Sequence, residues 1–417
     1  MVTEFSKALI SSSKVVHMSE MSAPTSPPAP VRLASLDAFR GLTMLYMASE
    51  IWRLPRVARA FPDNAIWQFI AWHTEHVEWA GGSAWDMIQP AFTFMVGVAL
   101  PWSVANRRAR GQGLRHLWLH ALWRAVVLVL LGVFLRSTSR QMTYFTFEDT
   151  LSQIGLGYLF LFLLAWQKKR VQVVALVLLL VGYWAAFALY PLPPEGFDFT
   201  SVGVRADWPH HFQGFAAHWD KNTNYAAAFE RWFLNLFPRE KPFLFNGGGY
   251  LTLSFIPTLA TMILGLLTGG LLKSDRSMRE KLRWMIGAGV AGIAVGWLLG
   301  FTGICPVVKR IWTPSWVLYS GGWVVLALAS FYWLIDIKGK RRWAYGLCAV
   351  GMNSIAMYCM EHLWSGFLAQ SFRINLGWNL LKPLTPPWSN FVPMFLAWCV
   401  MWWICIWMDR RKLYIRI

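Results

Sequence analysis

Acidic side chains are scarce in this chain, 21 against 39 lysines and arginines, and charge of either sign reaches only 14% of the 417 residues. With 56% hydrophobic residues and a mean hydropathy of +0.39, that poverty excludes both a disordered chain and an ordinary soluble domain. Only five cysteines occur, Cys305, Cys348, Cys359, Cys399 and Cys405. None sits in a CxxC pair or a Cys/His cluster, so neither a disulfide framework nor a thiolate zinc site is implied. They read as small buried hydrophobes. The net charge of +18 is not gathered into a basic domain with an aromatic platform, which excludes nucleic acid as a partner. Gly247, Gly248 and Gly249 lack the lysine and strand of a phosphate-binding loop. No internal repeat is visible, which weighs against an inverted-repeat transporter. The first residues are polar, then proline-rich, with no apolar core region of a cleavable signal peptide. Residues 1–31 are therefore expected to form a disordered cytoplasmic tail, with Met18 and Met21 as alternative starts.

Long apolar runs are what the chain does have. A membrane span takes roughly 20 mostly apolar residues. Ten candidates fit, at 35–53, 85–105, 116–136, 150–166, 171–190, 251–272, 284–304, 315–335, 344–364 and 391–408. The expected fold is all-α, a polytopic integral membrane protein in which 32–417 form one transmembrane domain. With the N-terminus inside, the short inward tracts hold 20 lysines and arginines and the outward ones 7, over about twice the length. That asymmetry places both termini in the cytoplasm and a long insert, 191–250, outside. Within the insert, Phe229, Trp232, Phe233, Leu236 and Phe237 follow the stripe of an amphipathic helix lying on the membrane surface. Most of the 27 tryptophans read as interface anchors, with membrane lipids as their partners.

Ionisable groups at the edges of such spans are costly and point to function. His76 and Asp86 flank the entry to the second span. An imidazole with a pKa near ~6.5 serves as a neutral base at pH 7, and a carboxylate orients it and stabilises its cation. The same imidazole is equally suited to carry an acyl group covalently. Asp37 and Arg40 share one face of the first span, either as an intrahelical ion pair capped by Ser35 or as a polar wall where Arg40 meets a phosphate. Lys309 and Arg310, beside Trp312, lie on the side that the charge asymmetry disfavours, which suggests a specific partner; snorkelling to headgroups is the alternative. Asn353 in the ninth span is either an oxyanion donor or interhelical glue. His210, His211, His218 and Asp220 lack a recognised metal-ligand spacing, and no metal is expected.

Four stretches carry a resemblance. Arg32 to Thr43 matches an opening "R-x-x-S-x-D-x-F-R-G". The His76 stretch looks like "H-x-x-W-x-G" followed by "D-x-x-x-P-x-F-x-F-x-x-G", with Asp86, Pro90, Phe92, Phe94 and Gly97 at the expected spacing. Pro306 to Leu318 is similar to "P-x-x-K-x-x-W-T-x-S-x-V-L", and Gly351, Met352, Asn353, Ser354 and Ile355 precede Tyr358. In this order they resemble the heparan-alpha-glucosaminide N-acetyltransferase family and its bacterial relatives. The sequence departs from that pattern at Gln153, where the family often has arginine, at Asn246 to Gly249, where many relatives are acidic, and in the order of Glu361 and His362.

The resemblance implies transfer of an acetyl group from cytoplasmic acetyl-CoA, as co-substrate, to an amino sugar or glycan on the periplasmic side of a bacterial inner membrane. It makes His76 and Asp86 the catalytic residues. Asp37, Arg40, Lys309, Trp312 and Asn353 are the expected substrate-binding residues, and a homo-oligomer is compatible. Three alternatives stay open from sequence: an O-acyltransferase of surface polysaccharide, an amino-sugar transporter, and a non-catalytic membrane partner.

Overall fold

A computed structural model describes residues 33–376, 384 and 386–415; the expected tail at 1–31 lies outside the described residues. Fourteen α-helices are assigned among the described residues. In chain order they are α1 (Ala34–Ala48), α2 (Leu54–Ala58), α3 (Ala65–His73), α4 (Ile88–Ala109), α5 (Leu114–Ser137), α6 (Thr150–Leu164) and α7 (Lys169–Ala188). They continue as α8 (Tyr225–Leu234), α9 (Phe255–Lys273), α10 (Met278–Phe301), α11 (Pro314–Phe331), α12 (Tyr345–Met352), α13 (Ser354–Leu376) and α14 (Trp388–Arg410). No strand occurs among the described residues; two isolated bridges join Ala80 and Gly81 to Val308. Seven of the described helices are long and apolar enough to cross a membrane, and Thr150–Leu164 is a shorter apolar helix. The chain is an all-α polytopic integral membrane protein.

All ten apolar runs are helical, with two differences. The run at 344–364 is interrupted at Asn353, which ends α12 and starts α13. Asn353 is fully buried, and its side-chain amide donates to Ala349 O at 3.4 Å. A short polar side chain bonding its own backbone competes with a continuous helix at that point. The second difference is α3, inside a segment read as a plain outward loop. Asn64 caps it through Ile66 N and Trp67 N, yet none of its residues is buried and Ile66, Phe69 and Trp72 are exposed. A short apolar helix without a core contact suits a membrane surface better than a protein interior.

Close backbone approach holds the bundle together around the site. A Cβ on Gly97 of α4 would lie 1.9 Å from Met262 O of α9, and one on Gly265 of α9 would lie 2.0 Å from Phe94 O. Where lipid competes equally for apolar side chains, such small-residue contacts let van der Waals packing drive helix association. The insert is folded. Its helix α8 buries Ala226, Ala227, Glu230 and Leu234, while Trp232 and Leu236 of the aromatic stripe are exposed. The small alanines bring α8 close enough for the Glu230 carboxyl to reach Thr252, accepting its N–H at 2.8 Å and meeting its hydroxyl at 3.0 Å. Phe229, Phe233 and Phe237 of the stripe pack partly buried against the core, and the Glu230 contact adds a buried polar anchor beside them.

Candidate active site

The site is built from the turn that leads into α4. Ser83 and Asp86 cap one another there. Asp86 Oδ2 accepts from Ser83 N at 3.0 Å, Ser83 Oγ at 3.1 Å and Val77 N at 3.3 Å, and Asp86 N donates back to Ser83 Oγ at 3.4 Å. This reciprocal arrangement satisfies the open N–H groups of a helix start, where a carboxylate is favoured by the helix dipole. It also fixes the direction of the other oxygen. Asp86 Oδ1 lies 2.7 Å from His76 Nδ1 and 3.8 Å from Lys309 Nζ.

Because Oδ1 can only accept, Nδ1 of His76 carries the hydrogen and Nε2 keeps its lone pair. Lys309 Nζ also lies 3.4 Å from Nδ1, a contact between two donors that converge on one carboxylate oxygen. The imidazole is flanked edge-on by Trp85 and Tyr250, at centroid distances of 6.5 and 6.4 Å. Burial, then the Lys309 cation, hold its pKa below the ordinary histidine range, while the bond to Asp86 opposes them in part. His76 is thus neutral at pH 7.

Lys309 arrives from 233 residues away because the segment before α11 docks on the His76 turn. Gly81 N donates to Val307 O at 2.8 Å, Arg310 donates to Val77 O at 3.1 and 3.3 Å, and Arg310 Nη1 donates to Gly248 O at 2.8 Å. Asn246 Oδ1 accepts from Gly248 N and Tyr250 N, a local turn that places the Tyr250 hydroxyl 3.4 Å from Lys309 Nζ. Asn246, where the sequence departs from the family pattern, thereby shapes the wall of the site.

His76 opens into a cavity of about 520 Å³ at the end of the bundle where α1 finishes and α4 begins. Lys309, Trp85, Gln89 and Tyr250 line it near the imidazole. Its other walls come from Glu50, Arg136, Glu148, Asp149, Tyr358 and the Glu361–His362 pair, whose side chains are 2.7 Å apart. That size is typical of a small-ligand site.

Of the expected residues, His76, Asp86 and Lys309 come together. The other four are elsewhere. Asp37 and Arg40 pair at 3.5 Å and Arg40 reaches Gly351 O at 3.4 Å, against α12. Asp37 is ten positions before Met47 of the cavity, about 15 Å along a helix axis. Trp312 is buried, donating to Thr261 Oγ1 at 3.1 Å, and neither it nor Asn353 lines the cavity. Sequence reasoning did not single out Glu50, Arg136, Glu148, Asp149 or Tyr250. The available signal was the one that exposed His76: ionisable groups beside apolar runs. The insert histidines take separate partners, His210 with Glu78 at 3.1 Å, His211 with Asp220 at 3.2 Å and His218 with Tyr190 O at 2.8 Å. Among the described residues no group of three or more His, Cys, Asp and Glu side chains is arranged to hold a metal ion.

The chain is 21% identical to the heparan-alpha-glucosaminide N-acetyltransferase of Homo sapiens over 427 aligned positions, which cover 93% of this chain and 60% of the relative. The protein of the same name from Mus musculus is 21% identical over 366 positions, 78% of this chain and 53% of that one. The chain thus spans a little over half the length of these curated relatives. No family model matches. Low identity sustained over most of the chain makes it a distant relative of that family.

Proposed function

We propose that this distant relative is a transmembrane acetyltransferase, taking an acetyl group from acetyl-CoA on the cytoplasmic side and giving it to an amino sugar or glycan amine on the periplasmic side of a bacterial inner membrane. One observation carries the reading: His76 is oriented through Nδ1 by a buried carboxylate, with Nε2 free to serve a polar cavity. The acceptor amine attacks the thioester carbonyl, and His76 Nε2 takes its proton as the C–N bond forms. The C–S bond then breaks, and the imidazolium returns the proton to the leaving thiolate, giving the amide and free CoA thiol. Asp86 stabilises the imidazolium. Lys309 Nζ is the cation beside the imidazole and is suited to the charge that develops on the carbonyl oxygen. The relatives, both heparan-alpha-glucosaminide N-acetyltransferases, support acetyl transfer and the amino-sugar class of acceptor.

The test uses purified protein with labelled acetyl-CoA, with and without glucosamine. Wild type is expected to release CoA and acetylate glucosamine, and His76→Ala to lose about 10²–10⁴-fold of that rate. Glucosamine uptake into vesicles without CoA release would overturn the proposal in favour of transport. A stoichiometric burst of CoA without acceptor would mean that Nε2 carries the acetyl group before passing it on.

A further inference from the structure

A second cavity, of about 360 Å³, opens where α2, the end of α13 and the start of α14 meet. It is separate from the one that His76 serves, since Glu50 lines that cavity while Trp52 and Arg53 of the same turn line this one. Arg53, Arg56 and Arg373 form its charged wall, with Asn390 beside them. Among the described residues no carboxylate lines this cavity, and none of the three guanidinium groups has an ion pair or a hydrogen bond. The sequence explains why: it holds no acidic residue from 51 to 62 or from 362 to 408. Cations gathered in one hollow beside the apolar walls of Trp52 and Phe391 focus the field and raise the local concentration of anions. Arg53 adds a second observation. Its backbone lies at φ 50° and ψ 46°, in the left-handed region that favours glycine, so an arginine stands where the turn alone does not ask for one.

Depth in the membrane narrows the class of anion. Helix α14 is long and apolar enough to cross a membrane, and Asn390 and Phe391 belong to its first turn. Trp388, at its start, meets Phe61 and Trp67 at centroid distances of 6.2 and 5.9 Å, close to the exposed Ile66, Phe69 and Trp72 of α3. Aromatic belts of this kind sit at the level of lipid headgroups. The anion met at that level is phosphate, whose oxygens match the two-pronged donor geometry of a guanidinium, and basic pockets between membrane helices hold such headgroups. We propose that Arg53, Arg56 and Arg373 form a phosphate site at the membrane edge, which takes the headgroup of an anionic phospholipid or a free phosphate by the same contacts. The site does not rest on the acetyl-transfer reading.

The experiment titrates purified protein in nonionic detergent with short-chain phosphatidylglycerol, with phosphatidylcholine of the same chain length and with inorganic phosphate. Binding is read from the rise in melting temperature and, for the lipids, from native mass spectra. Phosphatidylcholine is the control because its choline cation cancels the charge of the same phosphate. Wild type is expected to bind phosphatidylglycerol about tenfold more tightly than phosphatidylcholine, and the Arg53→Gln, Arg56→Gln, Arg373→Gln triple variant to lose that preference. A response to phosphatidylglycerol that inorganic phosphate does not displace makes the lipid headgroup the ligand. A response to inorganic phosphate alone makes it free phosphate, and displacement of one by the other supports the shared contacts; each response should vanish in the triple variant. Neither response in wild type, or affinity within threefold of wild type in a triple variant that elutes as wild type does, would overturn the inference. If the triple variant does not fold, each single variant should weaken binding about threefold, and unchanged binding in all three would overturn it equally. His76→Ala should keep the site intact, so its failure and that of the acetyl-transfer reading are told apart.

Discussion

Substituting Asp86→Asn tests the tautomer of His76 more sharply than deleting the imidazole. Asp86 Oδ2 accepts three donors, Val77 N, Ser83 N and Ser83 Oγ. An asparagine amide nitrogen cannot take that position, because its hydrogens would face two backbone N–H groups. The amide oxygen must sit there, and the NH2 group then turns to the place where Oδ1 now lies 2.7 Å from His76 Nδ1. Nδ1 becomes the acceptor, the ring hydrogen moves to Nε2, and the cavity meets a donor where it needs a base. Loss of general-base function costs about 10²–10⁴-fold, or roughly 2.7–5.4 kcal/mol of transition-state stabilisation. The loss should fall on kcat with little change in KM for acetyl-CoA. The substitution also strands the Lys309 ammonium, now 3.8 Å from the carboxylate, and breaking one side of a buried ion pair costs about 3–5 kcal/mol. A fall in melting temperature in detergent should accompany the kinetic loss. If Asp86→Asn stays folded and acetylates glucosamine within tenfold of wild type, the tautomer argument is wrong.

Other expectations follow from the same geometry. Lys309→Met removes a cation that holds the His76 pKa down. The pKa should rise, and since only the neutral ring is a base, the acid limb of the kcat/KM profile should move to higher pH, with the deficit larger at pH 6 than at pH 8. Glu230, buried against Thr252, has its carboxyl pushed up from 4.5 to about 8. A folded-state pKa above the unfolded one means that its stabilising contribution is full below pH 4.5 and lost as pH rises through about 8. Glu230→Gln, which mimics the protonated acid at both Thr252 contacts, should flatten the dependence of melting temperature on pH across that window. Gly97→Val would force α4 off α9, since even a Cβ would fall 1.9 Å from Met262 O. A drop of several degrees in melting temperature is expected, and an unchanged value would contradict the close packing.

The sequence alone determined the long apolar helices, because a span must satisfy its own backbone in lipid and therefore announces itself as an apolar run. It could not show the interruption at Asn353, since a buried asparagine looks the same within a continuous helix and at a break. His76 and Asp86 were legible because ten residues and one capped turn join them, a local relation that spacing can express. Lys309 was conspicuous only as a cation on the disfavoured side; its place beside His76 required the 306–313 segment to dock on the turn. Asp37 and Arg40 carry the same chemistry in the same kind of span, yet they face α12, and the direction of a side chain around a helix is set by its packing partners. Glu148, Asp149 and Arg136 come from a different part of the chain than His76, and only the tertiary structure put them around one cavity. Pattern along a chain encodes which segments enter the membrane. Which polar groups meet there is decided by how the segments pack, because a buried charge is tolerated only where another segment supplies its partner.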